Sequence, residues 1–409
     1  MRITCVGGGP AGLYFSVLAK LADPNHEITV LERNPAGVTW GWGVVFWDDL
    51  LDDLFAYDKV SAERIWESAR KWDEYQVRAT GKPVTHLAGY GFSLGRHRLL
   101  EILAERALEL GVTISYQDEL SDIDALPPAD LVVACDGARS RIRDSAAEHF
   151  GAEVEVASNK YIWLGTPHVF DTFTFGFEKT PAGWIWFHAY PFNSSTSTFI
   201  VECQPSTWAG LGFDSLDARA GTAKLQEIFA KHLDGQQLVD HRAEVGGTGW
   251  LNFRRVTAQR WDHGNVVLMG DSAHTTHFAI GSGTKLAMQD AMALADAVAS
   301  LSSGENLPVA LERYEHRRKA ALAPLQKAAR ASSAWFERFE QYADLPAKRF
   351  SYALSNRRGE YATWRYLLHM STQTRLLRTM LRWTLSARRW RRARRRPVTP
   401  GRPMLTNTA

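Results

Sequence analysis

Gly7, Gly9 and Gly12 stand in G-x-G-x-x-G spacing, and Glu32 follows 20 residues after the third glycine. This pattern suits a dinucleotide. The first glycine permits a tight turn, the second lets backbone approach a pyrophosphate, and the third lets a helix pack on a strand. The positive end of that helix then draws the phosphate charge. Glu32 is placed to accept hydrogen bonds from a ribose, and Arg33 beside it is assigned to the same site.

Two later turns extend the pattern. Asp136-Gly137-Ala138-Arg139-Ser140-Arg141-Ile142-Arg143 follows one short apolar run, and Gly270-Asp271-Ser272-Ala273-His274 follows another, with Gly281-Ser282-Gly283-Thr284 close behind. A carboxylate at a strand end, Asp136 or Asp271, can hold ribityl hydroxyls. A glycine turn opening a helix, at Gly270 or at Gly283 and Thr284, sets N–H groups and a helix dipole near a flavin pyrimidine and favours the anionic reduced flavin. Each turn alone also fits a plain strand-turn; the three in series point to one cofactor.

Other side chains are candidates for the reacting end. His274 and His277 lie in the loop between Asp271 and the glycine-opened helix, where a group titrating near neutrality can hydrogen-bond substrate or peroxide. The competing reading is loop histidines satisfied by backbone. His188 and Tyr190 fall on the same side of an expected strand, facing either pocket or solvent. Trp42 and Phe278 either wall a ring pocket or pack a core. Asp48 and Asp49 read as a helix start. No His/Cys cluster has metal spacing and no Ser-His-Asp arrangement is suggested; none is needed where a flavin carries the difficult chemistry.

The elements that must position these residues begin with a strand over 2–6, a helix over 10–21 and a strand over 27–31, a β-α-β opening for a parallel sheet. A helix over 96–110 and strands over 112–116 and 130–135 continue that layer. Over 160–203 the pattern changes to alternating aromatic and β-branched residues, an antiparallel sheet. The first pattern returns with a strand over 266–269 and helices over 284–301 and 308–339. The expected fold is α/β: a discontinuous Rossmann-like nucleotide domain (1–157 and 256–340) with an inserted antiparallel substrate domain (158–255). A helical region (341–387) and a disordered Arg-rich tail (388–409) follow.

Composition fits a globular protein of 409 residues with 15 Trp, 19 Phe and 12 Tyr. Three widely spaced cysteines suit a reducing compartment, and no signal peptide or 18-residue apolar run is seen, which points to the cytoplasm. The net charge of +3 hides an asymmetry: residues 361–409 hold 12 Arg and no acid, whereas residues 1–360 carry 36 basic against 45 acidic groups. The tail reads as solvated or as a phosphate contact, with no nucleic-acid partner expected.

The order of the three motifs resembles the class A flavoprotein aromatic hydroxylases, the group of para-hydroxybenzoate hydroxylase. Arg96, followed by Leu99 and Leu103, looks like that family's arginine near the FAD pyrophosphate. The resemblance implies one FAD, NADH or NADPH as electron donor, O₂ as co-substrate, and a C4a-hydroperoxide that oxygenates an activated ring. The runs 41–46, 159–166, 197–203 and 281–288 are similar to a narrower subgroup. It contains salicyloyl-CoA 5-hydroxylase, the monooxygenase half of 2-aminobenzoyl-CoA monooxygenase/reductase, and the tryptophan-derivative hydroxylase of violacein synthesis. Gly43 and Val44 join the FAD site by that similarity, and residues 331–356 look closest to the acyl-CoA members. The implied reaction is 5-hydroxylation of an aryl-CoA thioester, such as salicyloyl-CoA to gentisyl-CoA. A free indole or other aromatic is the alternative substrate, and flavin-dependent alkene reduction the rival reaction. Phe278 stands where a proline is usual, and Lys285 where an asparagine is usual.

Overall fold

The structure is a computed structural model describing residues 1–39, 41–240, 249–359, 363–374, 376–381, 383, 384 and 387. The Arg-rich tail expected at 388–409 lies outside the described residues.

Short β-branched runs, buried on both faces in the central strands, build the first sheet. Its strands are β1 (Arg2–Val6), β2 (Glu27–Glu32), β6 (Thr113–Tyr116), β7 (Leu131–Ala134), β13 (Asp262–His263) and β14 (Val266–Leu268), in the order β13-β14-β7-β1-β2-β6. All pairs are parallel except the β13–β14 hairpin at the edge. The crossover helix Pro10–Ala22 buries every residue from Pro10 to Ala19. It packs against the helices Arg96–Glu109 and Gly283–Ser300, so the carboxyl ends of β1, β7 and β14 and the glycine turns after them converge.

The second sheet has the strands β3 (Gly43–Phe46), β4 (Arg70–Ala79), β5 (Thr85–Gly95), β8 (Ala152–Thr166), β9 (Phe173–Thr180), β10 (Gly183–Pro191), β11 (Ser197–Cys203) and β12 (Leu251–Ala258). Their order is β12-β8-β11-β10-β9-β4-β5-β3. It is antiparallel apart from the β4–β9 pair. Three of its strands thus come from the stretch 43–95 that the sequence reading left in the nucleotide segment. A register shift between Trp72 and Glu74 interrupts the alternation that would have marked β4. β8 is one strand of 15 residues running through the expected boundary at 157/158.

Each face of this sheet has its own core. Trp72, Phe175, Phe177, Trp186 and Tyr190 pack with Trp335, Phe336 and Phe350 from the C-terminal helices. Ile162, Leu164, Phe187 and Phe199 pack with Leu225 and Phe229 on the other side. The helix Leu307–Glu337, which contains Pro324, carries Trp335 and Phe336 to the sheet.

Candidate active site

The glycine turn after β1 is fixed by close approach. Gly7 has φ +119°, and a Cβ there would lie 2.4 Å from the Cys135 carbonyl oxygen; one at Gly12 would lie 2.2 Å from the Gly7 carbonyl oxygen. Gly9 differs, since open space surrounds it. It caps the helix Pro10–Ala22 with no side chain satisfying the first-turn N–H groups, which leaves them available to an anion. Glu32 braces this turn: Oε2 accepts the Gly8 N–H at 2.8 Å, and Oε1 accepts from Asn34 N at 2.8 Å and Nδ2 at 2.6 Å. Both oxygens are thus engaged by the turn, and Glu32 does not itself line the central cavity.

The second motif works largely through its backbone. Gly137, Ala138 and Arg139 line the central cavity, whereas Asp136 turns its Oδ2 to the N–H of Arg141 at 2.8 Å and leaves Oδ1 buried without a partner. Buried Arg143 joins this motif to the third, donating to Ala138 O at 3.3 Å and Ser272 O at 3.1 Å. In the third motif Asp271 lines the cavity, and burial raises its carboxyl above the usual range against the pull of His274 and Arg96. Arg96 lines the same wall and donates Nε to Thr39 Oγ1 at 3.0 Å. Across from them, Gly283 and Thr284 open the 18-residue helix Gly283–Ser300, whose N-cap Ser282 makes no capping hydrogen bond.

Gly9, Arg96, Gly137, Asp271, Gly283 and Thr284 line one cavity of about 820 Å³, in the range of small-molecule and cofactor sites, whereas Gly7, Gly12, Glu32, Asp136 and Gly270 lie outside its lining. Its lining holds six arginines (Arg33, Arg96, Arg139, Arg254, Arg357 and Arg358) and one carboxylate, Asp271. That charge suits a diphosphate and an electron-rich ring. An uncapped helix start beside Gly9, a second at Gly283, and a basic wall between them fit FAD. Gly43 and Val44 of β3 also line the cavity.

The far end is an aromatic box. Tyr190 stacks on Phe173 at 5.2 Å, His188 meets Phe175 edge-on at 4.9 Å, and Phe278 lies 4.7 Å from Tyr161. His188 and Tyr190 therefore face the pocket, which resolves the choice left open for β10. The Tyr190 hydroxyl is committed to the Gly43 carbonyl at 2.7 Å. His188 Nε2 has no partner, and burial, then Arg357, depresses its basicity well below the usual range, leaving it neutral.

Three of the candidates for the reacting end lie elsewhere. His274 does not line the cavity; its Nε2 lies 2.7 Å from Asp290 Oδ2, and Asp290 also accepts from Gly270 N at 3.1 Å and Arg318 Nε at 2.6 Å. It belongs to a buried ionic network beneath the third motif. His277 accepts the Ala279 N–H at 3.3 Å and stacks on Phe278, again outside the cavity lining. Burial first, then Arg255 and Arg357, push it down to about 3. Trp42 sits over Gly165, where a Cβ would come within 2.4 Å of its ring, and does not line the cavity; Trp47 and Trp163 do. The loop's geometry explains the first two: it presents Thr275, Thr276 and Phe278 to the cavity and turns both histidines away from it.

Arg254 from β12 and Arg357 and Arg358 just past the helix Ala347–Ser355 were not foreseen from sequence. The last two hold the loop before the second glycine turn, Arg357 through Ala279 O at 2.7 Å and Arg358 through Ile280 O at 3.3 Å.

A family model described as the FAD binding domain matches residues 84–329. The chain is 41% identical to a salicyloyl-CoA 5-hydroxylase of a Streptomyces species over 84% of its length, and spans 66% of that protein's length. It is 35% identical to a 3-hydroxy-4-methyl-anthranilyl-[aryl-carrier protein] 5-monooxygenase of Streptosporangium sibiricum, covering 90% of this chain and 97% of that one. Among solved structures, 2-methyl-3-hydroxypyridine-5-carboxylic acid oxygenase shares the fold with a TM-score of 0.65 at 19% identity, over 87% of this chain and 95% of that one. With a glycine cradle, a basic wall and an aromatic box in one cavity, and with these relatives, the chain belongs to the FAD binding domain family of flavoprotein monooxygenases.

Proposed function

We propose that the protein hydroxylates the ring of an aryl thioester, with salicyloyl-CoA the favoured substrate and gentisyl-CoA the product. The observation that carries this reading is the single cavity joining the nucleotide cradle at Gly9 to the aromatic box around His188. Bound FAD, with electrons from NADH or NADPH and with O₂, supplies an electrophilic oxygen. The chain's own residues supply the rest. Phe173, Tyr190 and Phe278 confine a flat ring and exclude water, and the N-terminus of the helix Gly283–Ser300 favours negative charge where it faces the cofactor. A hydroxyl on the ring directs oxygen to the carbon para to it, the 5-position of a salicyl group.

A second reading places the aryl group on a carrier protein. Its support is the end-to-end match to the carrier-protein monooxygenase, against 66% of the length of the CoA-linked relative. Both readings share a thioester. They include a cytoplasmic setting, in keeping with free cysteines at Cys5, Cys135 and Cys203. No helix among the described residues is long and apolar enough to cross a membrane.

The test is NAD(P)H oxidation by the flavin-loaded protein with salicyloyl-CoA, a salicyl-loaded carrier protein, and free salicylate. A thioester should stimulate oxidation strongly and yield a hydroxylated product. Equal stimulation by free salicylate, or by none of the three, contradicts the reading.

A further inference from the structure

Two buried side chains at the ring end keep unused hydrogen-bonding capacity. His188 is 3% exposed, and its Nε2 meets no hydrogen-bond partner. Arg357 is 8% exposed and donates to Ser332 Oγ at 3.1 Å, Leu354 O at 2.9 Å and Ala279 O at 2.7 Å. All three acceptors are neutral, and among the described residues no carboxylate pairs with this guanidinium. Burial of a cation favours a nearby negative charge, and its five N–H donors exceed the three acceptors named.

The two residues share a setting. The His188 ring lies 4.9 Å from the Phe175 centroid and 5.3 Å from Phe336; the Arg357 guanidinium lies 5.4 Å over Phe175 and 5.8 Å over Phe336. Both line the cavity. The charged and titratable groups acting on them are Arg358, Tyr75, Glu202 and His277. Burial raises Glu202 to about 7, and its oxygens are taken by Asn159 Nδ2 and Trp186 Nε1. Burial, then Arg358, lowers Arg357 to about 9, so it stays charged at neutral pH. The pair is therefore a neutral imidazole beside a cation whose hydrogen-bond acceptors among the described residues are all neutral, both lining the cavity where a ring would lie.

We propose that Arg357 and His188 form an anion seat that selects a ring bearing an ionisable hydroxyl, held as its phenolate, over a ring bearing an amino group. On binding, the phenolic O–H bond breaks and its proton leaves to solvent. The phenolate oxygen pairs with Arg357 and accepts the N–H of His188 in its Nε2-protonated tautomer. An aryl amine has no accessible anion and forms no ion pair with the cation. The inference rests on the aromatic-hydroxylase reading and adds which ring donor the site accepts.

The experiment uses the oxidised flavin-loaded protein without NAD(P)H, so it does not depend on turnover. Salicyloyl-CoA, salicylamide and 2-aminobenzoyl-CoA are titrated in, with binding read from the flavin spectrum and ionisation from the ultraviolet phenolate band across pH. The bound phenols should ionise about 1–3 pH units below their free values. 2-Aminobenzoyl-CoA should bind at least tenfold more weakly than salicyloyl-CoA. Arg357→Gln should abolish both effects, Arg357→Lys should retain most of the ionisation shift, and His188→Phe should reduce it. A phenol that perturbs the flavin yet ionises at its free value overturns the seat alone. If no probe perturbs the flavin, the hydroxylase reading falls and takes the seat with it. The wild-type titration decides the matter even where Arg357→Gln fails to fold.

Discussion

Tyr190 donates its phenolic hydrogen bond to the Gly43 carbonyl at 2.7 Å, while the Gly43 N–H is held by Thr198 Oγ1 at 2.8 Å. Gly43 starts β3 at one end of the sheet order, and Tyr190 and Thr198 sit on β10 and β11 towards the other, so the sheet curls back on itself at the middle of the cavity. The hydroxyl is thus structural. Tyr190→Phe should destabilise the protein by about 1–3 kcal/mol, the usual cost of a buried acceptor left unmet. Denaturant unfolding checks the loss, and kcat on any accepted substrate should fall less than about tenfold, short of the effect of losing a general base.

The two glycines of the first turn should separate folding from cofactor binding. A Cβ at Gly12 would meet backbone at 2.2 Å and Cys135 Sγ at 2.7 Å, so Gly12→Ala should both destabilise the apoprotein, by about 1–3 kcal/mol, and lose flavin. At Gly9 a Cβ meets nothing within 4 Å. Gly9→Ala should leave apoprotein melting unchanged and weaken FAD retention, measured as flavin absorbance after dialysis. Equal melting losses in both variants would contradict this assignment.

Asp290 is expected to matter for stability and its pH dependence. Although burial opposes ionisation, His274 and Arg318 together hold its carboxyl below the usual range. Because the folded-state value is lowered, its contribution is complete above the unfolded carboxylate value near 4. It fades as pH falls below that through the folded-state value. Asp290→Asn strands buried Arg318 and should cost about 3–5 kcal/mol at pH 7, with the gap to wild type narrowing below about pH 4. His274→Ala should reduce stability and flavin retention while leaving product formed per NAD(P)H unchanged, since His274 does not line the cavity.

The cofactor half of the fold was legible because its signals are local. A strand, a glycine turn and a helix are adjacent in sequence, and all three motifs fall at the carboxyl ends of β1, β7 and β14. The reacting end was less legible. His188 and Tyr190 could be paired by strand periodicity, but which face was buried depended on residues more than 140 positions away, Phe336 on the helix Leu307–Glu337 and Arg357 past the helix Ala347–Ser355. The loop histidines show the converse. Nearness in sequence to Asp271 suggested a catalytic place for His274, yet the side-chain direction was set by Asp290 on the next helix. Lys285, where an asparagine is usual, pairs with Asp49 in the first turn of the helix Asp48–Tyr57, a partner 236 residues away. Arg357 and Arg358 carried no local pattern beyond a basic pair at a helix end.

The most direct measurement of the central claim is the isotopic mass of the product. The flavin-loaded protein should be run to completion with NAD(P)H and salicyloyl-CoA under ¹⁸O₂, and the thioester analysed by mass spectrometry after removal of CoA. The expected result is incorporation of one ¹⁸O atom at the ring carbon para to the hydroxyl, in step with NAD(P)H consumed. A product carrying oxygen only from water, or NAD(P)H oxidation that proceeds without O₂, would contradict it.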